Sequence, residues 1–239
     1  MSIKRKFQQG RIYHIYNRGV EKRNIFLSDG NRWRFLQGLY LFNDENVSAN
    51  LLWRLEQEKG KMHFGILREY MAQAGIERRP LVRIIADCLK ENHFHLLLEE
   101  VQEGGISRFM HKLGTGYTKY FNIKYERVGP LFQGGFKAVE VKDNDQLRYL
   151  IVYINVINPG QELEPDLKLV AQDPNEILRF VEHYSWSTHL EYLGKRNSII
   201  TDKGVAGELF ATPASYKKFI TDIICGKQAA ALSKGISLE

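Results

Sequence analysis

The stretch from Pro80 to Glu100, "PLVRIIADCLKENHFHLLLEE", constrains the fold more than any other part of the chain. Two runs of β-branched and aliphatic residues flank a polar break at Lys90 to Asn92, the pattern of two antiparallel strands joined by a short turn. Alternation along the second strand places His93, His95 and Leu97 on one face and Phe94, Leu96 and Leu98 on the other, toward a core. Two imidazoles one residue apart on a rigid strand can grip a single metal ion. They can equally be two half-exposed surface histidines, and so short a pattern arises by chance.

The rest of the chain supplies partners for that hairpin. "RIYHIYNRG" (11–19) reads as a strand ending at Gly19, although aromatic residues on both faces blur its alternation. A helix is expected over Asn31 to Phe42, and residues 44–79 read as one or two charged surface helices. "ISRFMHKLGTGYTKYFNIKY" is amphipathic, with Ile106, Phe109, Met110, Leu113, Tyr117 and Phe121 repeating at three and four. Gly114 and Gly116 each cost about 1 kcal/mol against alanine in a helix interior, so close packing or a bend is expected there. After the turn-rich "VGPLFQGG", "FKAVEV" is a short strand. A second helix starts at Asp143, an N-cap residue with Gln146 in the capping-box position, and is expected to stop near Asn158, before Pro159. Further helices are expected over 203–210 and 213–225.

Charge is distributed unevenly. The chain carries a net +6. Met1 to Arg34 and Gly105 to Lys142 are both strongly basic, while the remainder is acidic. That segregation points to a basic face for a polyanion such as nucleic acid. Arg11, Arg18, Lys22, Arg23, Arg108, Lys112, Lys119 and Lys137 are the candidate contacts; a solvated surface is the alternative. Aromatic residues among these charges could stack on bases, though most are expected in the core. The longest apolar runs are only a few residues, so no membrane span is expected. Two cysteines, Cys88 and Cys225, make no disulfide framework, and a cytoplasmic setting is expected.

Taken together, "YHIYNRG", "NHFHLLLEE", "ISRFMHKLGTGYTKYFN", "GPLFQGGFK", "YINVINP" and "WSTHLEYLG" resemble, in order and spacing, the REP-associated tyrosine transposases, single-tyrosine members of the HUH endonuclease superfamily. The resemblance runs over about residues 10–195 and rests on several collinear motifs. It implies an α+β fold, a ferredoxin- or RRM-like antiparallel palm with helices on one face. Residues 1–195 would form that domain, with 44–79 as an insertion, and 196–239 a helical C-terminal extension. It also implies cleavage and rejoining of single-stranded DNA beside hairpins through a 5′-phosphotyrosine, in a homodimer of a bacterial, nucleoid-associated protein. Tyr153 matches the nucleophile, and His93, His95 and Asn158 the ligands of a divalent ion, Mg2+ or Mn2+.

Three departures stand out. Lys90–Glu91 replaces the family's Met–Pro, residues 44–79 are additional, and Asn158 lies five rather than four residues after Tyr153. In an α-helix a gap of five swings the second side chain by about 100°. Either the helix bulges, or Asn158 is displaced and Asn155 or a water serves instead. The chemistry itself is coherent. Tyrosine is a poor nucleophile at neutral pH, with a free pKa near 10, and needs a metal or base to attack. A bound cation neutralises charge on the phosphate oxygens. Imidazole suits Zn, Mn, Ni or Cu better than Mg, whereas the resemblance implies Mg or Mn. Exchange of one phosphodiester for another needs no nucleotide cofactor, and the chain has no Gly-x4-Gly-Lys loop. Two other readings stay open: a hairpin-binding protein without cleavage, and a phosphodiesterase that uses water at the histidine pair.

Overall fold

The structure, a computed structural model, describes residues 7–60, 62–75 and 77–227. Part of the basic amino-terminal segment (1–6) and the end of the expected extension (228–239) lie outside the described residues. The strands are β1 (Ile12–Arg18), β2 (Val82–Leu89), β3 (His93–Glu100) and β4 (Lys137–Glu140). They form one antiparallel sheet in the order β2-β3-β1-β4. The helices in chain order are α1 (Asp29–Phe42), α2 (Leu51–Lys59), α3 (Phe64–Gln73), α4 (Gly105–Lys124), α5 (Asn144–Val152), α6 (Asn158–Gly160), α7 (Pro174–His183), α8 (His189–Tyr192), α9 (Val205–Leu209) and α10 (Pro213–Ile224). Among the described residues, no helix is long and apolar enough to cross a membrane.

The expected α+β class and antiparallel sheet are what the structure shows. Helices cover both faces of the sheet, where one was expected, because β2 and β3 carry apolar side chains on both sides. Phe94, Leu96 and Leu98 meet Phe35 and Leu39 of α1 and Phe109 and Leu113 of α4 in one core. Ile85, Cys88 and Leu97 face a second core formed with α5, the turn after it, α7 and α10. Close packing explains one of the two glycines of α4. A Cβ on Gly116 would lie 2.7 Å from the Phe42 ring, so only glycine lets α1 approach, while Gly114 has nothing within 4 Å.

The stretch 44–79 contains α2 and α3 and is fastened to α4. The Lys112 ammonium donates to the carbonyls of Asp44 (2.7 Å) and Glu45 (3.2 Å). Arg108 pairs with Glu45, and Lys119 lies 4.5 Å over the Trp53 ring. At the start of α5, the Asp143 carboxylate accepts from the Gln146 N–H and the Gln146 side chain accepts from the Lys142 N–H, both at 2.8 Å. This is close to the expected capping box, with the return bond one residue earlier.

The helix does not stop at Asn158, contrary to expectation. It widens into a π-helical turn, Tyr153–Ile157, and continues as α6 through Pro159. In a regular α-helix the Pro159 ring would meet the carbonyl of Asn155 four residues back, and the wider turn makes room for it.

Candidate active site

The site forms where β1, β3 and that widened turn meet. His95 is fully buried and His93 partly so. Neither is a plain surface histidine. The Nε2 atoms of both rings converge on the Asn158 amide nitrogen, at 3.4 Å from His93 and 3.3 Å from His95. The π turn is what allows this. The Asn158 N–H bonds to the Tyr153 carbonyl, five residues back. An i→i+5 turn returns the fifth residue to the face of the first, as i→i+4 does in an α-helix. The extra residue between Tyr153 and Asn158 is absorbed by the bulge, so both residues face the histidine strand. Asn155 points elsewhere: its amide oxygen accepts from the Thr188 hydroxyl at 2.8 Å.

Tyr153 is largely buried, its ring 5.4 Å from that of His95 and 6.1 Å from that of His14. Lys90, the first of the Lys90–Glu91 pair read in place of Met–Pro, ties the turn down. It donates to the Asn158 carbonyl at 3.0 Å and pairs with Glu162 at 2.8 Å.

A third histidine, not picked out from the sequence, completes the arrangement. His14 on β1 is buried, and its Nε2 lies 2.9 Å from Nδ1 of His95. Nδ1 of His93 lies 2.6 Å from the Asn92 amide oxygen. With a proton on Nδ1 of each ring, both Nε2 lone pairs face the same point, and the outer partners fix that tautomer. In the sequence His14 was marked only by its place in the motif "YHIYNRG"; it is the strand pairing, with Tyr16 opposite His95, that brings it to the site.

Electrostatics favour the neutral rings. Burial pushes His93 down to about 4, helped by the positive charges of Arg18 and Lys90. Burial likewise lowers His14 to about 4. His95 is held well below its ordinary value, first by burial and then by His14 and His93. Neutral imidazole is the ligating form. No group of three His, Cys, Asp or Glu residues suited to a metal occurs among the described residues. A donor set here is therefore two imidazoles and an amide. It fits a divalent ion once the Asn158 amide is turned to present its oxygen, which now faces the Cys88 sulfur at 3.4 Å.

The eight candidate DNA contacts divide. Arg18, the register partner of His93, and Lys137, whose ammonium lies 5.7 Å from the Tyr16 ring centroid, line a cleft of about 270 Å3 beside His93. Gly134 and Gly135 from the "GPLFQGGFK" loop line its other side. Arg11 faces Glu140 at 4.0 Å and Arg23 pairs with Glu21. Lys22 is exposed, on a backbone with φ of 60°. Arg108, Lys112 and Lys119 lie along the seam with residues 44–53 and are not at the histidines.

The sequence pattern of the family described as "Transposase IS200 like" matches residues 57–156. The match spans His93, His95 and Tyr153, begins inside the segment read as an insertion and ends just before Asn158. No curated protein matches the chain. Among solved structures, one titled "Structure of the REP associates tyrosine transposase bound to a REP hairpin" is similar at 15% identity and a TM-score of 0.45, covering 84% of this chain and 94% of that one. Over residues 57–156, then, the chain is similar to IS200-like transposases, in line with the motifs quoted above, and that match supports a transposase-like, DNA-processing role.

Proposed function

We propose that the protein is a metal-dependent single-strand DNA endonuclease and transesterase, which cuts and rejoins DNA beside hairpins through a covalent link to Tyr153. The observation that carries this reading is the convergence of both histidine Nε2 atoms on Asn158, on the same π turn that begins at Tyr153. His93, His95 and Asn158 would hold a divalent ion, Mg2+ or Mn2+. When bound, it would supply charge neutralisation at the scissile phosphate.

The chain's own groups do the rest. Arg18 and Lys137 hold the phosphate in the cleft beside His93, and His14 and Asn92 keep the two rings oriented. The Tyr153 hydroxyl attacks phosphorus, the 3′ oxygen leaves as a hydroxyl, and the DNA 5′-phosphate stays on the tyrosine. Attack by a 3′-hydroxyl on that link reverses the exchange and rejoins the strand. One phosphodiester replaces another, so no nucleotide is consumed.

We also retain as proposals a domain of residues 1–195 with 44–79 inserted, a C-terminal extension of 196–239, and a homodimer, which light scattering would test. Contacts of the extension support its acting with the main domain: Arg83 pairs with Asp202, and Tyr216 of α10 lies 2.9 Å from Nδ1 of His189.

The test uses the full chain, labelled single strands bearing a hairpin, and Mn2+. A denaturation-resistant protein–DNA adduct is expected, absent in Tyr153→Phe, which keeps the ring but lacks the attacking oxygen. Cleavage without an adduct would favour a water-using phosphodiesterase. Hairpin binding with neither would favour a silent binder.

A further inference from the structure

On the far side of the sheet from the histidines, a half-open pocket of about 310 Å3 lies against β2 and is not used by the chemistry above. Asp87 pairs with Leu96, so its side chain projects to the face opposite His93 and His95. The segment from Ser185, just before the motif "WSTHLEYLG" (186–194), closes the pocket along the outer edge of β2. There the Leu89 N–H bonds to the Trp186 carbonyl and the Thr188 N–H to the Asp87 carbonyl.

Two polar groups line this pocket. The Asp87 residue is only 5% exposed, and its carboxylate sits near Glu191 and Arg196. Its nearest countercharge is already engaged, since Arg196 forms a two-pronged pair with Glu191 (2.5 and 2.7 Å) and donates to the Ser185 and Ser187 carbonyls. The Thr201 hydroxyl is buried without a partner. A buried hydroxyl without a partner is costly to maintain, and a ligand that bonds to it removes that cost. Burial, with Glu191 nearby, also raises Asp87 to about 7.

Aromatic surface surrounds these groups. The rings of Trp33 and Trp186 meet edge to face at 5.4 Å, with Phe64 next to Trp33 at 6.3 Å. Arg32 lies 5.4 Å over Trp186, and exposed Arg68 is at the rim. A cationic ligand would meet like charge there; a neutral flat ring joined to a phosphate would meet complementary charge.

We propose that this pocket binds an unpaired nucleobase, with its ring against Trp33 and Trp186 and its N–H edge on the Asp87 carboxylate and the Thr201 hydroxyl. Guanine fits best, because its adjacent N1–H and N2–H donors match both oxygens of one carboxylate. The base comes either from a single strand extending from the hairpin or from a free nucleoside. Only the first source rests on the DNA-processing reading.

Intrinsic tryptophan fluorescence tests the pocket in the full chain, with Trp53→Phe removing the third tryptophan. Guanosine should quench saturably and more tightly than adenosine, cytidine or thymidine. Asp87→Asn should weaken guanosine by about tenfold or more, with the melting temperature retained. Should Asp87→Asn not fold, Thr201→Val and the rim variant Trp33→Ala carry the same comparison. Hairpin oligonucleotides with one abasic site moved along the single strand form the second arm. One position that costs about tenfold in affinity, where the others cost little, would identify a strand-borne base. A guanosine response with no sensitive position would identify a free nucleoside. The proposal is overturned if no nucleoside quenches saturably and no abasic position matters, or if the pocket variants respond as the parent does. Loss of the Tyr153 adduct leaves the nucleoside arm standing, so the two readings fail separately.

Discussion

Helix α4 and the helical run from Asn144 to Gly160 relate regularity to chemistry in opposite ways. α4 is 20 unbroken residues with a clean apolar stripe. Its basic side, an attractive DNA track in the sequence, is occupied by the 44–53 segment: Lys112 caps two carbonyls, Arg108 pairs with Glu45, and Lys119 lies over Trp53. The second run breaks its own hydrogen-bond pattern at Tyr153 and incorporates Pro159, and those irregular residues are the ones that face the histidines. A regular helix maximises packing and leaves its charges for neighbours. A bulged one gives up regular bonds to aim particular side chains, which is why π turns gather at functional sites.

The sharpest way to break this contrast is to remove one side chain from each helix. Asn158→Ala should lower Mn2+ affinity about a hundredfold and reduce Tyr153 adduct formation in proportion, whereas Arg108→Ala should leave both within about twofold. Titration calorimetry and the adduct assay read the two effects. Equal losses in the two variants would mean that the bulge has no special role.

The next effect tests the support behind the histidines. His14→Phe keeps the ring volume but removes the nitrogen facing His95. Outer partners of this kind are worth about 10- to 100-fold in metal affinity. Unchanged Mn2+ affinity in a folded His14→Phe protein would reduce His14 to a core residue.

His189 supplies a contrast in burial without site chemistry. It is fully buried beside Tyr216 in the second core, and burial lowers it to about 4. The unfolded chain binds its proton near pH 6.5 and the folded chain only near 4. Stability from this group is therefore complete above pH 6.5 and falls as pH drops from 6.5 to 4. The loss is on the order of 3 kcal/mol for a shift of this size. Denaturant titrations across that window should show the advantage of the parent over His189→Gln shrinking toward acid. A constant difference would show that His189 does not couple folding to pH.

Much of this was legible in the sequence, for identifiable reasons. The strand pair around Lys90 to Asn92 and the extents of α4 and α10 follow from periodicity and turn chemistry, which are local. The α+β class came with the family resemblance. Helices on both faces were harder to foresee, since a strand with Leu97 behind Leu96 and Leu98 looks alike whether one side or both are covered. Bulging of the helix was one of two ways to accommodate a five-residue gap, and only the Asn158 N–H bond to Tyr153 shows which occurs. His14 escaped notice because its value comes from register. Nothing local to "YHIYNRG" says that strand pairing will set its ring 2.9 Å from His95. The seam between α4 and residues 44–53 was hidden for the same reason, being made by residues more than 60 positions apart.

The smallest expected effect is on salt dependence, and it sharpens the comparison at the level of DNA. Each phosphate contact on a single strand contributes about −0.7 to the slope of log affinity against log salt. Arg18 and Lys137 line the cleft beside His93, so replacing both with alanine should flatten the slope by about 1.4 units. Arg108 and Lys119 are already engaged with Glu45, Asn50 and Trp53, and removing both should leave the slope nearly unchanged. The triple replacement of Arg18, Lys22 and Arg23 should flatten it by the single contact of Arg18, about 0.7 units, if the exposed Lys22 and the Glu21-paired Arg23 do not touch phosphate. Sequence preference should survive all three, because phosphate contacts position a strand without reading it. Fluorescence anisotropy over a series of salt concentrations measures each slope. A larger change from the α4 pair than from the cleft pair would place the DNA along residues 44–53, and the regular helix, not the bulged one, would then carry the strand.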